Sequence, residues 1–516
     1  MKWSVNNFMK KKTFMLNALL LTCASLINMS IGMFFRIYMS NKVGAEGIGL
    51  YQLITAIYFF AATFSTTGIS LTVTRLVTDF LAKEEYAKAK NVIIKCLILG
   101  IFISIVAGSI MFIFADQIGT YVLKDHRSVL SLKILAPSLP FVAISSCFRG
   151  YFYAVRRVIK TVSEQLFEQI IEIIVFIILI GKLAPLGIEY ACAAIVIGTS
   201  VSEFFSCIYS YILYIYDIKK FSITRKLKSQ LSSKIIFIFL PLTASASLRA
   251  GLSTVENVMI PSGLKRFGAS GTKALSTYGM IVGMVMPIIT FPTLFLLSFS
   301  MLLIPEMSEA NAVHHKKNIN HMAAKVLKIT LLFSIMTMNI FLFFSKDLGI
   351  SIYSSSECGT YLSLLSPLVP LMYLDKVVDG MLKGLNQQLH YLSYNIIDSV
   401  VRIILIFILL PVIGINGLII MMFTSTILNS TLSIARLLKV TELKLNLMDW
   451  IIRPLICSSF SSIFTMLITS NCPINSIFIK TCFEVIFSTM LYIITLFLTG
   501  TIKSSDIKWI KNTIHT

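Results

Sequence analysis

Long apolar stretches separated by short polar connections dominate the pattern of hydrophobic and polar positions. A stretch of about 20 apolar residues crosses a bilayer as a helix. Fourteen such windows occur, so we predict an all-α integral membrane protein with fourteen transmembrane helices. The windows are 14–38, 50–76, 92–115, 129–154, 162–181, 188–215, 235–260, 274–304, 324–345, 361–383, 391–411, 414–437, 448–470 and 476–500.

The first apolar stretch is expected to be a retained span. It runs from Phe14 to Phe35 and follows three consecutive lysines at 10–12. Its length exceeds that of a signal-peptide core, and no small-residue cleavage site stands out. Because the number of spans is even, both termini are expected on the same side of the membrane.

Composition supports the membrane assignment. The 516 residues are 56% hydrophobic and 13% charged, with a mean hydropathy of +0.83; a soluble domain carries about 25% charged residues. The net charge of +21 would suggest a nucleic-acid partner in a soluble protein. Here the basic residues concentrate in alternate connections, which predicts a protein of the cytoplasmic membrane with both termini cytoplasmic and no nucleic-acid partner.

An internal repeat is the most informative feature of the chain. The sequence from Pro137 is P-S-L-P-F-V-A-I-S-S-C-F-R-G-Y, and the sequence from Pro367 is P-L-V-P-L-M-Y-L-D-K-V-V-D-G-M. One constant offset aligns Pro137 with Pro367, Pro140 with Pro370, Gly150 with Gly380, Ser163 with Ser393, Glu168 with Asp398 and Glu172 with Arg402. Such agreement indicates a duplication.

The repeat predicts two pseudo-symmetric six-helix lobes and two further C-terminal helices. The predicted boundaries are 1–228 for the N-lobe, 229–440 for the C-lobe, and 441–516 for helices 13 and 14 with a cytoplasmic tail. Because six is even, both lobes enter the membrane from the same face and are related by an axis along the membrane normal. Two lobes around a cleft are typical of an alternating-access transporter.

Ionisable residues within apolar spans are the candidate functional residues, because charges are costly in lipid and usually face a protein interior or a watery cavity. Arg36 lies late in the first helix, and Arg249 and Glu256 lie in the seventh. The fifth helix carries Glu164, Glu168 and Glu172, whose spacing of four places them on one helix face. Asp398 and Arg402 repeat this spacing in the eleventh helix.

The repeat aligns residues of opposite charge, namely Arg149 with Asp379 and Glu172 with Arg402. Acid and base could therefore pair across the cleft, and arginines there would suit an anionic head group because guanidinium forks bind phosphate. A purely structural role remains an alternative. Arg75 and Arg149 could snorkel from helix ends, and the acidic residues could be packing partners of basic ones.

No motif points to catalysis or to a resident cofactor. The chain lacks G-x-x-x-x-G-K-[ST], H-E-x-x-H and G-x-S-x-G, and its nine cysteines follow no paired spacing. We therefore expect no catalytic residues and no metal site. Energy would come from a coupling ion, from the membrane potential or from consumption of the cargo.

Three stretches resemble a known family: N-K-V-G-A-E-G-I-G-L-Y-Q-L at 41–53, G-I-S-L-T-V-T-R-L-V at 68–77 and R-G-Y-F-Y-A at 149–154. With fourteen spans and the repeat, the chain resembles the polysaccharide-transport branch of the multidrug/oligosaccharidyl-lipid/polysaccharide exporter superfamily. Within that branch it is most similar to the stage V sporulation protein B group, and it is also similar to lipid II flippases.

The resemblance implies a flippase for undecaprenyl-diphosphate-linked saccharides, associated with peptidoglycan of the spore cortex. It implies a lipid-linked oligosaccharide as substrate, with membrane lipids around the last two helices, which would border the polyprenyl tail. Arg36, Arg75 and Arg249 lie on helices that correspond to those lining the cavity of lipid II flippases. We therefore expect these three to bind substrate. The repeat and the charges within the spans add Arg402 as a further substrate-binding residue, with charge partners in the cavity at Glu168, Glu172, Glu256, Asp398, Arg149 and Asp379.

Two other functions fit the same sequence. A cation-coupled exporter of cationic drugs would need an acidic cavity, for which Glu256, Asp398 or Glu203 could serve. A non-transporting scaffold for cell-wall synthases would have a plugged cavity in which the buried charges are paired.

Overall fold

The computed structural model describes residues 2–218, 231–313, 315–443, 446–471 and 476–502. Within these ranges the regular structure is helical, and thirteen segments are long and apolar enough to cross a membrane. The first of them, Ser25–Ala82, has 58 residues, or about 87 Å of helix, so it provides two crossings of a bilayer about 30 Å thick. The fourteen predicted membrane helices are confirmed.

We number the long helices α1 to α14. They are 2–43 (α1), 45–82 (α2), Tyr86–Ile113 (α3), Ser128–Ala154 (α4), Val158–Leu183 (α5), Ile188–Ile218 (α6), Leu231–Arg266 (α7), 271–312 (α8), Lys316–Phe343 (α9), Ser356–Gly384 (α10), Gln388–Ile413 (α11), Ile415–Thr441 (α12), Met448–Ser470 (α13) and Ile477–Leu498 (α14).

Gly44 separates α1 from α2. Its backbone has φ 78° and ψ 171°, a conformation that residues with a side chain rarely adopt. A Cβ added there would meet no atom within 4 Å. Glycine is therefore required here by the backbone conformation and not by a lack of space for a side chain.

The backbone confirms the internal repeat. The offset that aligns the two sequences also carries both ends of α3 onto the ends of α9, and both ends of α5 onto the ends of α11. The 3₁₀ turns Ala136–Ser138 and Ser366–Leu368 have the same separation and carry the aligned prolines Pro137 and Pro367. The left-handed residues Arg156 and Asn386 correspond in the same way. The duplication extends from sequence to helix boundaries and turns.

The helices form two compact units, residues 1–279 and 280–516. The first unit contains α7 and the beginning of α8 in addition to α1–α6. In the second, α13 and α14 pack on α9, where the hydroxyl of Tyr492 donates to the carbonyl of Leu332 at 3.0 Å. The predicted boundaries at 228 and 440 follow the repeat and stay a prediction, and the predicted cytoplasmic tail lies outside the described residues.

Two glycines bring α2 and α8 into backbone contact in the first unit. Gly49 and Gly279 are related by the same offset as the rest of the repeat. A Cβ added at Gly49 would lie 2.2 Å from the carbonyl oxygen of Leu275, and one at Gly279 would lie 2.0 Å from that of Ala45. Only residues without a side chain fit this crossing.

The connection between α3 and α4 is held by Arg127. Its Nη2 and Nε lie 2.7 Å and 2.9 Å from the two carboxylate oxygens of Asp125, and its Nη1 lies 2.8 Å from Oε1 of Glu46 at the start of α2. Burial raises the pKa of Asp125, but the hydrogen bonds and charge of Arg127 outweigh burial and hold that pKa below its ordinary value. The ion pairs raise the pKa of Arg127.

This arrangement predicts a pH dependence of stability. A carboxyl whose folded pKa is depressed stabilises the fold above its unfolded pKa of about 3.9, and the contribution is lost as the pH falls through the folded pKa. We expect the free energy of unfolding to fall by about 1 kcal/mol over this pH range. Asp125→Asn should remove this pH-dependent part of the stability. Denaturant unfolding in detergent between pH 2.5 and 7 measures it.

Asp116→Asn is the matched control, because Asp116 pairs with Lys133 while 55% of its side chain is exposed. Exposed pairs contribute little, so this variant should keep the wild-type profile. An unchanged profile in Asp125→Asn would contradict the prediction.

Candidate functional site

α2 and α7 pack along one another in opposite directions. The hydroxyl of Thr254 donates to the carbonyl of Ala56 at 3.0 Å, while Gly68 faces Thr243 further along. Residue numbers therefore rise on α2 as they fall on α7. We call this contact the α2–α7 seam.

A polar cavity of about 150 Å³ lies in the seam near the start of α2. Its amides are on opposite walls, Gln52 on α2 and Asn257 on α7. The hydroxyl of Tyr278 donates to Oδ1 of Asn257 at 2.9 Å, which fixes the amide. We call it the amide cavity; it is lined by Gln52, Thr55, Ala56, Phe59, Phe60, Ala250, Ser253, Thr254 and Asn257.

Arg249 belongs to the same face of α7 as the amide cavity. It precedes Ser253 by four residues and Asn257 by eight, so the three form a column along the helix. Arg249 is exposed and stands one turn outside the lining. Glu256 is half-buried beside Asn257 and does not line the cavity.

The predicted substrate arginines of the first unit occupy different places. Arg75 lies at the opposite end of the seam from the amide cavity, in a second cavity with Lys234. Arg36 is exposed on α1, and its charge interacts with that of Glu172 on α5. The antiparallel pairing places Arg75 opposite Lys234, so the structure does not bring Arg75 and Arg249 into one site.

Carboxylates from α5 and α6 form a cluster in the first unit, as the spacing of four on α5 predicts; Glu164 and Glu203 are buried, and Glu168 and Glu172 are half-buried. The hydroxyl of Ser206 lies 3.2 Å from Oε1 of Glu164 and 3.0 Å from Oε2 of Glu168. Thr199 donates to Oε1 of Glu172 at 2.8 Å. We call Glu164, Glu168, Glu172 and Glu203 the α5–α6 carboxylate cluster.

One arginine of α4 reaches this cluster. Nε of Arg149 lies 3.7 Å from Oε1 of Glu164, and its charge also interacts with Glu168 and Glu203. Glu164 is 0% exposed and Glu203 is 8% exposed. Each has one carboxylate oxygen without a hydrogen-bond partner among the described residues, so the cluster has capacity for a proton or another cation.

The predicted charge residues of the second unit, Asp379, Asp398 and Arg402, have partners within that unit. Nε of Arg402 lies 3.1 Å from Oδ2 of Asp398, one turn earlier on α11. Ser425 donates to Oδ1 of Asp398 at 2.6 Å, and Nζ of Lys383 lies 2.7 Å from Oδ2 of Asp379. Pairing across the lobes stays a prediction; inside each unit the aligned residues already have ionic or hydrogen-bonding partners.

Sequence reasoning missed several polar residues of these sites. Gln52, Asn257 and Lys234 were not selected, because uncharged amides and a lysine near a helix start are common in membrane helices. Asp375 is buried and its Oδ2 accepts from Asn429 at 3.2 Å. The repeat aligns Asp375 with Ser145, so both halves have a polar residue at this position within an apolar span. That agreement is a signal from which Asp375 could have been selected.

Comparisons with known proteins agree with this architecture. A family model described as polysaccharide biosynthesis protein matches residues 14–260, and one described as MatE matches residues 267–408. Stage V sporulation protein B of Bacillus subtilis (strain 168) is 25% identical over 449 residues, covering 86% of this chain and 87% of that protein. Lipid II flippase MurJ of the same organism is 23% identical over 426 residues, covering 75% of each chain.

Solved structures show the same fold. An inward closed conformation of lipid II flippase MurJ matches with a TM-score of 0.62 at 16% identity, covering 94% of this chain and 100% of that one. An inward-facing multidrug resistance MATE family transporter of the MOP superfamily matches with a TM-score of 0.59 at 13% identity, covering 83% of this chain and 98% of that one.

Proposed function

We propose that this chain is a member of the multidrug/oligosaccharidyl-lipid/polysaccharide exporter superfamily and a flippase for undecaprenyl-diphosphate-linked saccharides. The matches to the polysaccharide biosynthesis and MatE family models and the similarity to stage V sporulation protein B support this proposal. The cargo is a peptidoglycan precursor or a related lipid-linked oligosaccharide. The similarity to stage V sporulation protein B supports a role in sporulation, for which we propose spore cortex synthesis. Transport proceeds by alternating access across the cytoplasmic membrane, with both termini cytoplasmic.

The column of Arg249, Ser253 and Asn257 beside the amide cavity is the observation that carries this proposal. A guanidinium binds phosphate oxygens through two parallel hydrogen bonds. Amides and hydroxyls such as those of Gln52 and Asn257 suit the hydroxyl and amide groups of a saccharide, and Phe59 and Phe60 add apolar ring surface. The α2–α7 seam thus presents both chemistries within about two helical turns.

Such a site lowers the main barrier to transport. Moving an unpaired polar group into hydrocarbon costs several kcal/mol, and a saccharide diphosphate carries many such groups. Groups on α2 and α7 replace their hydrogen bonds to water, while the polyprenyl tail stays in the bilayer. The protein binds and orients the cargo without breaking a covalent bond, so it acts as a transporter and not as an enzyme.

We expect Arg249→Ala to reduce flipping at least tenfold, which corresponds to about 1.4 kcal/mol of lost head-group binding. Arg249→Lys should retain part of the activity, because an ammonium keeps the charge and loses the fork. The measurement is movement of a fluorescent lipid-linked saccharide in vesicles containing the purified full-length protein.

Arg266→Ala is the matched control for this experiment. Arg266 is an exposed cation at the end of the same helix and lies outside the amide cavity. Equal flipping by Arg249→Ala and wild type, at equal protein incorporation, would overturn the role of Arg249. Absence of flipping by the wild type would overturn the proposed function.

The α5–α6 carboxylate cluster is also compatible with a second candidate function, a cation-coupled exporter of cationic drugs. Unpaired oxygens of Glu164 and Glu203 could take up a proton or a metal cation that drives transport. The same cluster could bind the coupling ion of a flippase, so it does not distinguish a drug exporter from a flippase. Resistance of cells to cationic drugs, measured beside flipping of lipid-linked saccharide, separates them.

A scaffold that recruits cell-wall synthases is the remaining alternative, and it would flip nothing in vesicles containing this protein alone. The flipping assay therefore tests transport against scaffolding as well.

A further inference from the structure

The other end of the α2–α7 seam contains a second cavity, larger than the amide cavity, which has no role in the function proposed above. It has a volume of about 410 Å³, within the range of small-molecule sites. We call it the Arg75–Lys234 cavity; it is lined by Arg75, Lys234, Phe237, Ile238, Pro241 and Leu242.

Two cations face this cavity. Among the described residues, neither Arg75 nor Lys234 forms a salt bridge, and Asp79, one turn further along α2, does not pair with Arg75 within 4 Å. Lys234 instead lies 5.4 Å from the centre of the Phe80 ring. Both residues are exposed, and an anion bound in the cavity would lower the repulsion between these two like charges.

The remaining wall of the cavity is apolar and continues onto an exposed apolar face of α7. Phe237 is 80% exposed and Leu240 is 62% exposed. A site with two cations on one side and aliphatic and aromatic groups on the other fits an amphiphile, with phosphate on the cations and hydrocarbon along the helix. A soluble anion would gain nothing from the apolar wall.

The cavity lies at the membrane boundary that the distribution of basic residues predicts to be cytoplasmic. Lys95 of α3 donates to the hydroxyl of Ser232 at 2.9 Å, which fixes the start of α7 beside it. Lys234 and Arg249 are fifteen residues apart, or about 22 Å along α7. The two cationic sites therefore lie at different depths of one seam.

Close packing separates the two cavities. A Cβ added at Gly68 would lie 1.8 Å from Oγ1 of Thr243 and 2.9 Å from the ring of Phe239. The helices touch here, so the Arg75–Lys234 cavity is not an extension of the amide cavity. The two cavities are therefore separate binding sites.

We propose that the Arg75–Lys234 cavity is the docking site for the diphosphate of the polyprenyl carrier on the side from which cargo is loaded, before the head group reaches Arg249. This proposal rests on the proposed function, because the lipid is the carrier of its cargo. The guanidinium of Arg75 takes one phosphate through two hydrogen bonds, and the ammonium of Lys234 neutralises the other. The first isoprene units lie against Phe237 and Leu242.

The test is binding of fluorescent undecaprenyl diphosphate, without a saccharide, to the full-length protein in nanodiscs. We expect the double variant Arg75→Ala/Lys234→Ala to bind at least tenfold more weakly than the wild type. The control variant Lys83→Ala/Lys90→Ala also removes two positive charges, one just after the end of α2 and one near the start of α3. It should bind undecaprenyl diphosphate like the wild type. Circular dichroism and elution volume of each variant report folding.

Two competitors identify the ligand. Inorganic diphosphate should compete poorly, because it lacks the tail, and phosphatidylglycerol at equal mole fraction should compete poorly, because it carries one phosphate. Full competition by phosphatidylglycerol would make the cavity a general anionic-lipid site, and full competition by diphosphate would make the tail irrelevant; either overturns the proposal. Wild-type binding by the double variant also overturns it.

Failure of this proposal is distinguishable from failure of the proposed function. A wild-type protein that flips lipid-linked saccharide while the double variant binds undecaprenyl diphosphate normally refutes only the docking site. A wild-type protein that binds the carrier at this cavity but flips no lipid-linked saccharide refutes only the flippase.

Discussion

Arg149→Met is expected to destabilise the folded protein by about 3 kcal/mol, because it leaves the carboxylate of Glu164 buried without its cation. Glu164 is 0% exposed, and its Oε1 lies 3.7 Å from Nε of Arg149. Methionine keeps most of the aliphatic volume of arginine, so the loss measures charge and not packing. Denaturant unfolding in detergent at neutral pH gives the free energy of unfolding.

A second variant distinguishes electrostatics from a steric effect. In Arg149→Met/Glu164→Gln the buried group is neutral and its amide can still bond with Ser206, so about 2 kcal/mol should return. The control Arg156→Met removes an exposed arginine just after α4 and should change stability by less than about 0.5 kcal/mol. A cost below about 1 kcal/mol for Arg149→Met, or no recovery in the double variant, would contradict the assignment.

Gly279→Ala is expected to cost about 3 kcal/mol, and Gly279→Leu to prevent correct packing of α8 on α2. The added Cβ would lie 2.0 Å from the carbonyl oxygen of Ala45, a distance that only a backbone shift relieves. Gly49→Ala should behave alike, since its Cβ would lie 2.2 Å from the carbonyl oxygen of Leu275. Unfolding in detergent and the elution profile of the purified protein report the change.

Gly181→Ala provides a matched control within α5. A Cβ at Gly181 meets no atom within 4 Å, and alanine favours a helix over glycine by about 1 kcal/mol. This variant should be as stable as the wild type or slightly more stable. If Gly279→Ala unfolds like Gly181→Ala, the backbone contact between α2 and α8 does not contribute as inferred.

The architecture could be predicted from the sequence because it depends on local properties. Hydrocarbon thickness sets the length of each apolar window, so fourteen windows gave fourteen helices. The aligned prolines at 137 and 367 marked equivalent 3₁₀ turns, since proline disrupts a helix wherever it stands inside one. The first two predicted windows, 14–38 and 50–76, lie on either side of Gly44, where the helix is interrupted.

The carboxylate cluster was partly predictable for the same reason. Residues spaced by four share a helix face, which placed Glu164, Glu168 and Glu172 together and also Asp398 with Arg402. The partners on other helices were not predictable, because Thr199 and Ser206 follow no charge pattern. The contact of Arg149 with Glu164 is tertiary, and its position near a helix end had allowed snorkelling instead.

The sequence by itself therefore determined that this protein is a duplicated bundle of fourteen membrane helices with charges inside them. Only the tertiary structure decided that Arg75 and Lys234 line one cavity, that Arg249 lies one turn from the cavity of Gln52 and Asn257, and which serines and threonines contact the glutamates. Contacts between helices depend on their rotation and axial offset. In a bilayer, a helix face that packs on protein and one that faces lipid are both apolar. The hydrophobic pattern therefore does not distinguish the two faces and does not give the rotation or offset of a helix.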